Sequence, residues 1–288
     1  MILQPSTTGE PSRVRTFRGA TELGLAAEEW HRDGPTVVML HGGGQNRHSW
    51  KKTGQVLADH GFHVVALDSR GHGDSEWAPD ADYSIDAFTA DGQAIIEQIG
   101  KPVVVVGASL GGMTGILLAR SLGPDTVTGL VLVDVVPRVE PVGTDRIRDF
   151  MSSGMDGFES LDAAAEAVAA YLPHRTKPRS PEGLTKNLRF RDGRWFWHWD
   201  PAFLRNPENS PIGRTEEIRL AATELSTPVL LIRGKLSDVV SQEGVDEFLR
   251  DAPNAQFIEL ADAGHTAAGD DNDAFSLAVV DFVTQTKR

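Results

Sequence analysis

The chain has 288 residues, of which 40% are hydrophobic and 24% charged, and its 41 acidic against 28 basic side chains give a formal net charge of −13. This length can bury a substantial core, and the negative charge argues against nucleic acid and anionic membrane surfaces as partners. The absence of cysteine excludes disulfides, thiolate metal sites and a cysteine nucleophile.

The N-terminal segment and the hydropathy pattern bear on location. Residues 1–18 have neither a basic start nor an apolar stretch, so they do not resemble a signal peptide. No apolar run approaches the roughly 18 residues that span a bilayer. We therefore expect a cytoplasmic protein with no membrane partner.

Strand and helix patterns alternate along most of the chain. A loose arm at residues 1–12 precedes two short strands, at 14–20 and 23–30, which we expect to form an antiparallel hairpin. Further strands are predicted at 36–40, 62–67, 103–106, 130–133, 228–234 and 256–260, and helices at 51–60, 84–100, 113–122, 242–250 and 273–285. This alternation predicts an α/β fold with a mostly parallel central sheet and helices on both faces.

The alternation stops between residues 137 and 225. No buried strand is predicted there, residues 144–172 have a helical pattern, and residues 195–199 alternate tryptophan with other aromatic rings. The simplest organisation is one core domain, residues 1–136 and 226–288, interrupted by a mostly helical insertion at 137–225.

The most informative stretch is the run of four valines at 103–106, which leads into a G-x-S-x-G pattern at 107–111. In a strand–turn–helix context this pattern lifts the serine clear of the sheet in a strained turn, beside the positive end of a helix dipole. The competing interpretation is that small residues serve only packing there. The context favours Ser109 as a nucleophile.

A serine nucleophile needs a general base and a carboxylate that orients it. His265 follows the last strand and Asp238 follows the strand before it, so both belong to the carboxyl edge of the sheet, where catalytic groups gather. Asp134 also ends a strand at that edge and is the alternative acid, unless it is purely structural. We favour Asp238, because it lies in a longer turn that can reach the histidine. The chain order is then Ser109, Asp238, His265.

An oxyanion hole would complete this chemistry. The backbone N–H of Leu110, the residue after the nucleophile, is one expected donor. A glycine-rich loop at 41–44 follows another strand, and its backbone can approach a substrate closely. We assign the second donor to Gly43, with Gly44 as the alternative.

Substrate-binding positions are predicted less directly. Gly44 and Trp50 follow the strand that ends at residue 40, Met113 lies beside the nucleophile, and Trp197 belongs to the aromatic run; these four are the candidates. For the aromatic run, packing within the insertion is the competing interpretation. No histidine–carboxylate spacing suggests a metal site.

Taken together, the motifs at 41–44, 68–75, 107–111, 234–238 and 264–265 resemble those of the α/β-hydrolase superfamily over nearly the whole chain. The resemblance implies that residues 137–225 form a helical cap over the active site and that the segment 68–75 is structural. Epoxide hydrolases and haloalkane dehalogenases of this superfamily carry aspartate at the nucleophile position, so Ser109 argues against those activities.

The expected function is hydrolysis of a small-molecule carboxylic ester or lactone through an acyl-enzyme, with no cofactor. Alternatives are hydrolysis of a carbon–carbon bond or a perhydrolase activity with the same triad, and a small-molecule receptor with little turnover. The substrate and the presence of a homo-oligomer are left open by the sequence.

Overall fold

The computed structural model describes residues 11–172, 180–206, 209, 211–261, 263–265 and 273–286. Most of the predicted N-terminal arm lies outside these residues. Within them the strands are β1 (Arg13–Arg18), β2 (Gly24–Trp30), β3 (Thr36–Leu40), β4 (His63–Leu67), β5 (Val103–Ala108), β6 (Val127–Val133), β7 (Leu188–Arg191), β8 (Arg194–Trp197), β9 (Val229–Gly234) and β10 (Ala255–Leu260). The α-helices are α1 (Lys51–Asp59), α2 (Ile85–Ile99), α3 (Leu110–Leu122), α4 (Pro141–Ser152), α5 (Leu161–Tyr171), α6 (Ala202–Arg205), α7 (Thr215–Thr223), α8 (Gln242–Asp251) and α9 (Asp273–Gln285).

Eight strands form one sheet in the order β1-β2-β4-β3-β5-β6-β9-β10. The pairs β1–β2 and β2–β4 are antiparallel, and the strands from β4 to β10 run parallel. The predicted α/β fold, with a hairpin at the antiparallel edge of the sheet, is confirmed.

The central strand β5 explains the layering. Its valines are all buried, and they alternate between two apolar clusters, one on each face of the sheet. Helices α2, α3, α7 and α8 pack on one face, and α1 and α9 on the other. Both faces are therefore covered, as a parallel sheet requires.

Helix α2 shows how local signals set element boundaries. The Ser84 side chain accepts a hydrogen bond from the Ala87 N–H at its start, and Gly100 ends it in the left-handed region at φ 66°. A serine N-cap and a C-terminal glycine are the residues that these positions favour. The predicted helix at 84–100 is confirmed.

The segment between β6 and α7 departs from the prediction in its detail. The helical pattern at 144–172 forms two helices, α4 and α5, because Gly154 and Gly157 adopt positive φ between them and Ser160 caps the second. The aromatic run enters the hairpin β7–β8. A small apolar cluster of its own holds this segment together; it contains Met151, Ala164, Leu188, Trp197 and Trp199.

Helix α7 lies inside the predicted insertion, yet it packs against the main core of the sheet domain. Its buried residues Ile218, Ala221 and Ala222 join the main cluster that also contains the apolar face of α3. Among the described residues, no helix combines the length and hydrophobicity needed to cross a bilayer.

The crossing of α3 over β3 and β5 leaves no room for side chains. A Cβ on Gly111 would lie 2.3 Å from the Leu40 carbonyl oxygen, and one on Gly107 would lie 2.3 Å from the Gly111 carbonyl oxygen. These neighbours are backbone atoms of β3 and α3, so they cannot move aside independently. The glycines of the G-x-S-x-G pattern therefore set the distance between helix and sheet.

We expect Gly111→Ala to lower the free energy of unfolding by at least about 2 kcal/mol, because the added methyl group overpacks the backbone crossing. Urea unfolding followed by circular dichroism measures this. Gly183→Ala is the matched control, since a Cβ there meets open space. Equal unfolding midpoints for the two variants would contradict the role given to the crossing.

Candidate active site

Ser109 occupies the turn between β5 and α3 in an unusual conformation, with φ 48° and ψ −116°. The Ser109 N–H donates to the Val133 carbonyl at 3.3 Å, and its carbonyl accepts from the N–H groups of Gly112 and Met113 at 2.9 and 3.0 Å. These bonds hold a positive φ that a residue with a Cβ rarely adopts. Ser109 thus has the strained strand-to-helix turn that the sequence predicts.

His265 contacts a carboxylate at the same sheet edge. Its Nδ1 donates to Oδ2 of Asp134 at 2.7 Å, and Asp134 is fully buried directly after β6. Oδ1 of Asp134 accepts the Gly234 N–H at 2.9 Å, and Oδ2 also accepts the Ser237 hydroxyl at 2.5 Å. Three donors from two loops therefore fix the orientation of this carboxylate.

The prediction that Asp238 orients His265 is wrong in this structure. The Asp238 carboxylate pairs with Arg146 of α4 at 2.9 Å, and both side chains are partly exposed. Because β6 and β9 are neighbours, Asp134 at the end of β6 lies beside the turn after β9, and that turn directs Ser237 toward it. The alternative acid, Asp134, holds the histidine.

Sequence reasoning missed Ser237. Its oxygen donates to Asp134 and accepts the N–H groups of Val239 and Val240, each at 3.2 Å. A serine beside a turn aspartate gives no signal of this role until the partner strand is known.

The glycine loop at 41–44 lies against the nucleophile, since a Cβ on Gly42 would come within 3.2 Å of the Ser109 Cβ. The Gly42 N–H donates to the Gln45 side chain at 3.1 Å, and the Gly44 N–H donates to Nε2 of His72 at 3.2 Å. Among the hydrogen bonds of the described residues, none uses the Gly43 N–H. This arrangement favours Gly43 over Gly44 as a donor to an incoming oxyanion.

The second expected donor, Leu110, is the first residue of α3. The first N–H groups of a helix have no acceptor within the helix, so they are free to bind an anion. Its side chain is buried in the main core.

Comparison with known proteins identifies the family. The family model described as alpha/beta hydrolase fold matches residues 35–271. The chain belongs to the α/β-hydrolase family. The resemblance carried by the sequence motifs is confirmed.

Named relatives agree with this assignment. The chain is 32% identical to the esterase Rv0045c of Mycobacterium tuberculosis over 254 residues, 85% of this chain and 82% of that protein. It is 29% identical to the mouse sn-1-specific diacylglycerol lipase ABHD11 over 260 residues, 86% of this chain and 81% of that protein. The crystal structure of an alpha/beta hydrolase from Novosphingobium aromaticivorans matches with a TM-score of 0.79 at 25% identity, covering 96% and 97% of the two chains. The chain is therefore an enzyme of the hydrolase class.

Two buried histidines support the glycine loop of this α/β hydrolase from below. Nδ1 of His72 donates to the Arg70 carbonyl at 3.0 Å, which leaves Nε2 to accept the Gly44 N–H. Nδ1 of His41 donates to the Gly42 carbonyl at 2.8 Å, and its Nε2 accepts the Ser69 N–H at 3.0 Å. Burial lowers the pKa of His72 to about 3 and that of His41 to about 4. Both rings are neutral at pH 7, as these acceptor roles require.

The predicted pocket residues have different surroundings. Trp50 is fully buried in the cluster under α1 and α9, where its ring stacks on Phe275, so its assignment to substrate binding is wrong. Trp197 packs among Phe150, Phe158 and Trp199 inside the small cluster, as the competing interpretation expects.

The remaining two candidates lie close to the loop and the nucleophile. Met113, one turn after Ser109, is buried in the main core. Gly44 lies under the side chain of Met151 from α4, whose Cε would be 3.0 Å from a Cβ at that position. Gly44 is thus next to the insertion.

Phe203 of α6 was not predicted and lies over the loop. Its ring would be 3.5 Å from a Cβ on Gly43, and it contacts the ring of His72 edge-on at 5.1 Å. The Tyr83 hydroxyl donates to Asp200 at 2.6 Å and anchors the turn before α6. Met151 and Phe203 are ordinary apolar residues in the sequence, so only the fold reveals their position.

The buried histidines predict acid sensitivity. Their pKa values lie near 6.5 in the unfolded chain and well below in the folded protein, so below pH 6.5 protons bind preferentially to the unfolded chain. Stability is complete above pH 6.5 and falls as the pH drops toward 4, by up to roughly 1.4 kcal/mol per pH unit for each histidine.

Urea unfolding between pH 7.5 and 5 measures this slope above the range in which carboxylates titrate. We expect His72→Gln to flatten the slope, and His60→Gln, at the partly exposed C-terminal end of α1, to retain it. Identical slopes for wild type and His72→Gln would contradict the interpretation.

Proposed function

We propose that the protein is a serine hydrolase that cleaves the carboxylic ester of a small molecule through an acyl-enzyme. The observation that carries the proposal is the 2.7 Å contact of His265 with Asp134 at the sheet edge where Ser109 occupies its strained turn. The serine and the aspartate directly follow the neighbouring strands β5 and β6. The names of the esterase and lipase relatives support an ester as the substrate.

In the proposed mechanism His265 acts through both ring nitrogens. Asp134 holds the Nδ1–H, so Nε2 is unprotonated and takes the proton of the Ser109 hydroxyl as its oxygen attacks the ester carbonyl. The carboxylate stabilises the imidazolium that forms. His265 then gives this proton to the leaving alcohol, and the acyl group remains on Ser109.

The oxyanion of the tetrahedral intermediate would be bound by the N–H groups of Gly43 and Leu110. A single donor of this kind is worth roughly 3 kcal/mol of transition-state stabilisation. Water, activated by His265, then attacks the acyl-enzyme and releases the acid. A lactone reacts by the same steps, with the leaving alcohol kept in the product.

Helices α4 and α6 serve as the lid in this proposal. Met151 and Phe203 bring apolar surface to Gly44 and Gly43, so the acyl group beside the oxyanion loop meets hydrocarbon and an aromatic ring. Such a wall favours an apolar acyl chain and excludes water from the oxyanion.

The first test is Ser109→Ala, assayed on short and medium p-nitrophenyl esters. We expect a loss of kcat/KM of at least about 10³-fold, since the nucleophile is removed. A fluorophosphonate probe should label wild type and leave the variant unlabelled. Ser121→Ala, an exposed serine on the same helix, is the control and should keep both properties. Labelling of Ser109→Ala at the wild-type rate would refute the nucleophile.

The acid is tested by Asp134→Asn against Asp238→Asn. With asparagine at 134 the amide can favour the wrong tautomer of His265, so we expect kcat to fall by about 10³- to 10⁴-fold. Asp238→Asn loses only a partly exposed ion pair with Arg146 and should stay within a few-fold of wild type. Thermal unfolding of both variants checks that they fold. The reverse ranking would restore Asp238 as the acid.

A further inference from the structure

Three side chains with metal-ligating atoms converge far from the catalytic residues. Glu29 is near the end of β2, His31 follows that strand, and His63 begins β4. One donor atom from each lies within 4.8 Å of the other two. His63 marks the amino end of a parallel strand, so the group lies at the edge of the sheet opposite Ser109.

The distance between two of these donor atoms already matches that between two ligands of a metal ion. Nε2 of His63 is 3.3 Å from Oε1 of Glu29. Two ligands bound to Zn²⁺ at 2.0–2.1 Å with tetrahedral angles are about 3.4 Å apart, whereas an ordinary N–H···O bond is about 2.9 Å long. The His31 and His63 rings are perpendicular, at 87° and 5.0 Å between centroids.

The surroundings of the three residues suit a cation. His63 is partly buried beside the Glu29 carboxylate, and a neutral imidazole is the form of histidine that binds metals. Glu29 is only 1% exposed. Its two carboxylate oxygens accept hydrogen bonds from Arg13 and Arg15, as expected of a buried carboxylate that carries its charge.

The same arginines compete with a metal for the carboxylate. Arg13 binds Oε2 at 2.8 Å, and Arg15 binds Oε1, the oxygen nearest His63, at 3.1 Å. Their side chains are 64% and 43% exposed, so either can turn into solvent once a metal ion takes over the charge of the buried carboxylate. A metal on Oε1 would have to displace Arg15 but could leave Arg13 in place.

We propose that Glu29, His31 and His63 bind a divalent transition-metal ion such as Zn²⁺ or Cu²⁺, with water completing its coordination. Two imidazoles and one carboxylate are the donor set that these ions accept. His31 is exposed after the end of β2, so it can move the remaining distance toward the other two ligands. The ion would fasten β2 to β4 at the antiparallel edge of the sheet. No local motif predicts this site, because His63 lies 32 positions beyond His31.

The test uses the full-length chain after treatment with EDTA, titrated with Zn²⁺ by calorimetry and with Cu²⁺ by electron paramagnetic resonance. We expect one site per chain, nitrogen coordination in the Cu²⁺ spectrum, and a higher Tm with metal. His31→Ala and His63→Gln should each weaken binding at least tenfold, with their folding verified by Tm in EDTA. His60→Ala, a histidine outside the group, should bind as wild type does.

Arg15→Ala provides the decisive second variant, because removal of the competitor for Oε1 should tighten binding several-fold. Absence of binding, or binding that the His31 and His63 variants leave unchanged, would overturn the site. Binding that Arg15→Ala fails to tighten would overturn the role of Glu29 and with it the three-residue site. Esterase activity is not the readout, so the result is independent of the proposed catalytic function.

Discussion

The backbone crossing at Gly107 and Gly111 is the constraint on which the rest of the site depends. Helix α3 approaches β3 and β5 so closely that a methyl group on Gly111 would clash with the Leu40 carbonyl oxygen. At this distance the chain must reverse within one residue, and Ser109 takes the positive φ that the reversal demands. Backbone packing thus sets the conformation of Ser109, and it also places the N–H of Leu110, the first residue of α3, directly after it.

The crossing does not determine the shape of the glycine loop at 41–44, which is held by buried side chains instead. The loop at 41–44 has few side chains of its own, so its shape comes from His41 and His72, whose ring nitrogens bind its backbone from inside the core. The segment 71–74 also makes hydrogen bonds with residues of the insertion. The His198 ring accepts the Gly73 N–H at 2.7 Å, and Arg189 donates to Asp74 at 2.6 Å. The motif at 68–75 thereby has a structural role in this chain, as its resemblance to the family implies.

The sequence was sufficient for features that depend on local pattern. Four buried valines, a serine between glycines and an apolar helix predict the nucleophile turn, because each signal is contained within about 20 residues. Strand order is not local. Asp134 and Asp238 both follow strands at the carboxyl edge of the sheet, and only the adjacency of β6 and β9 shows that Ser237 fills the space beside Asp134. Trp50 shows the same limit: it follows the glycine loop, yet a 3₁₀ turn at Arg47–Trp50 carries its ring to the opposite face of the sheet.

The turn after β9 therefore makes two separate contacts. Ser237 faces inward and holds the carboxylate of Asp134, while Asp238 faces α4 and pairs with Arg146. The backbone of α4 lies against this turn, since a Cβ on Gly143 would be 2.4 Å from the Asp238 carbonyl oxygen. Arg146 also lies over the ring of Tyr171 from α5, so the ion pair continues into the packing of the insertion. Helix α4 thus contacts Asp238, and the next residue back along the chain, Ser237, binds Asp134. The position of the insertion is therefore coupled to the aspartate that contacts His265.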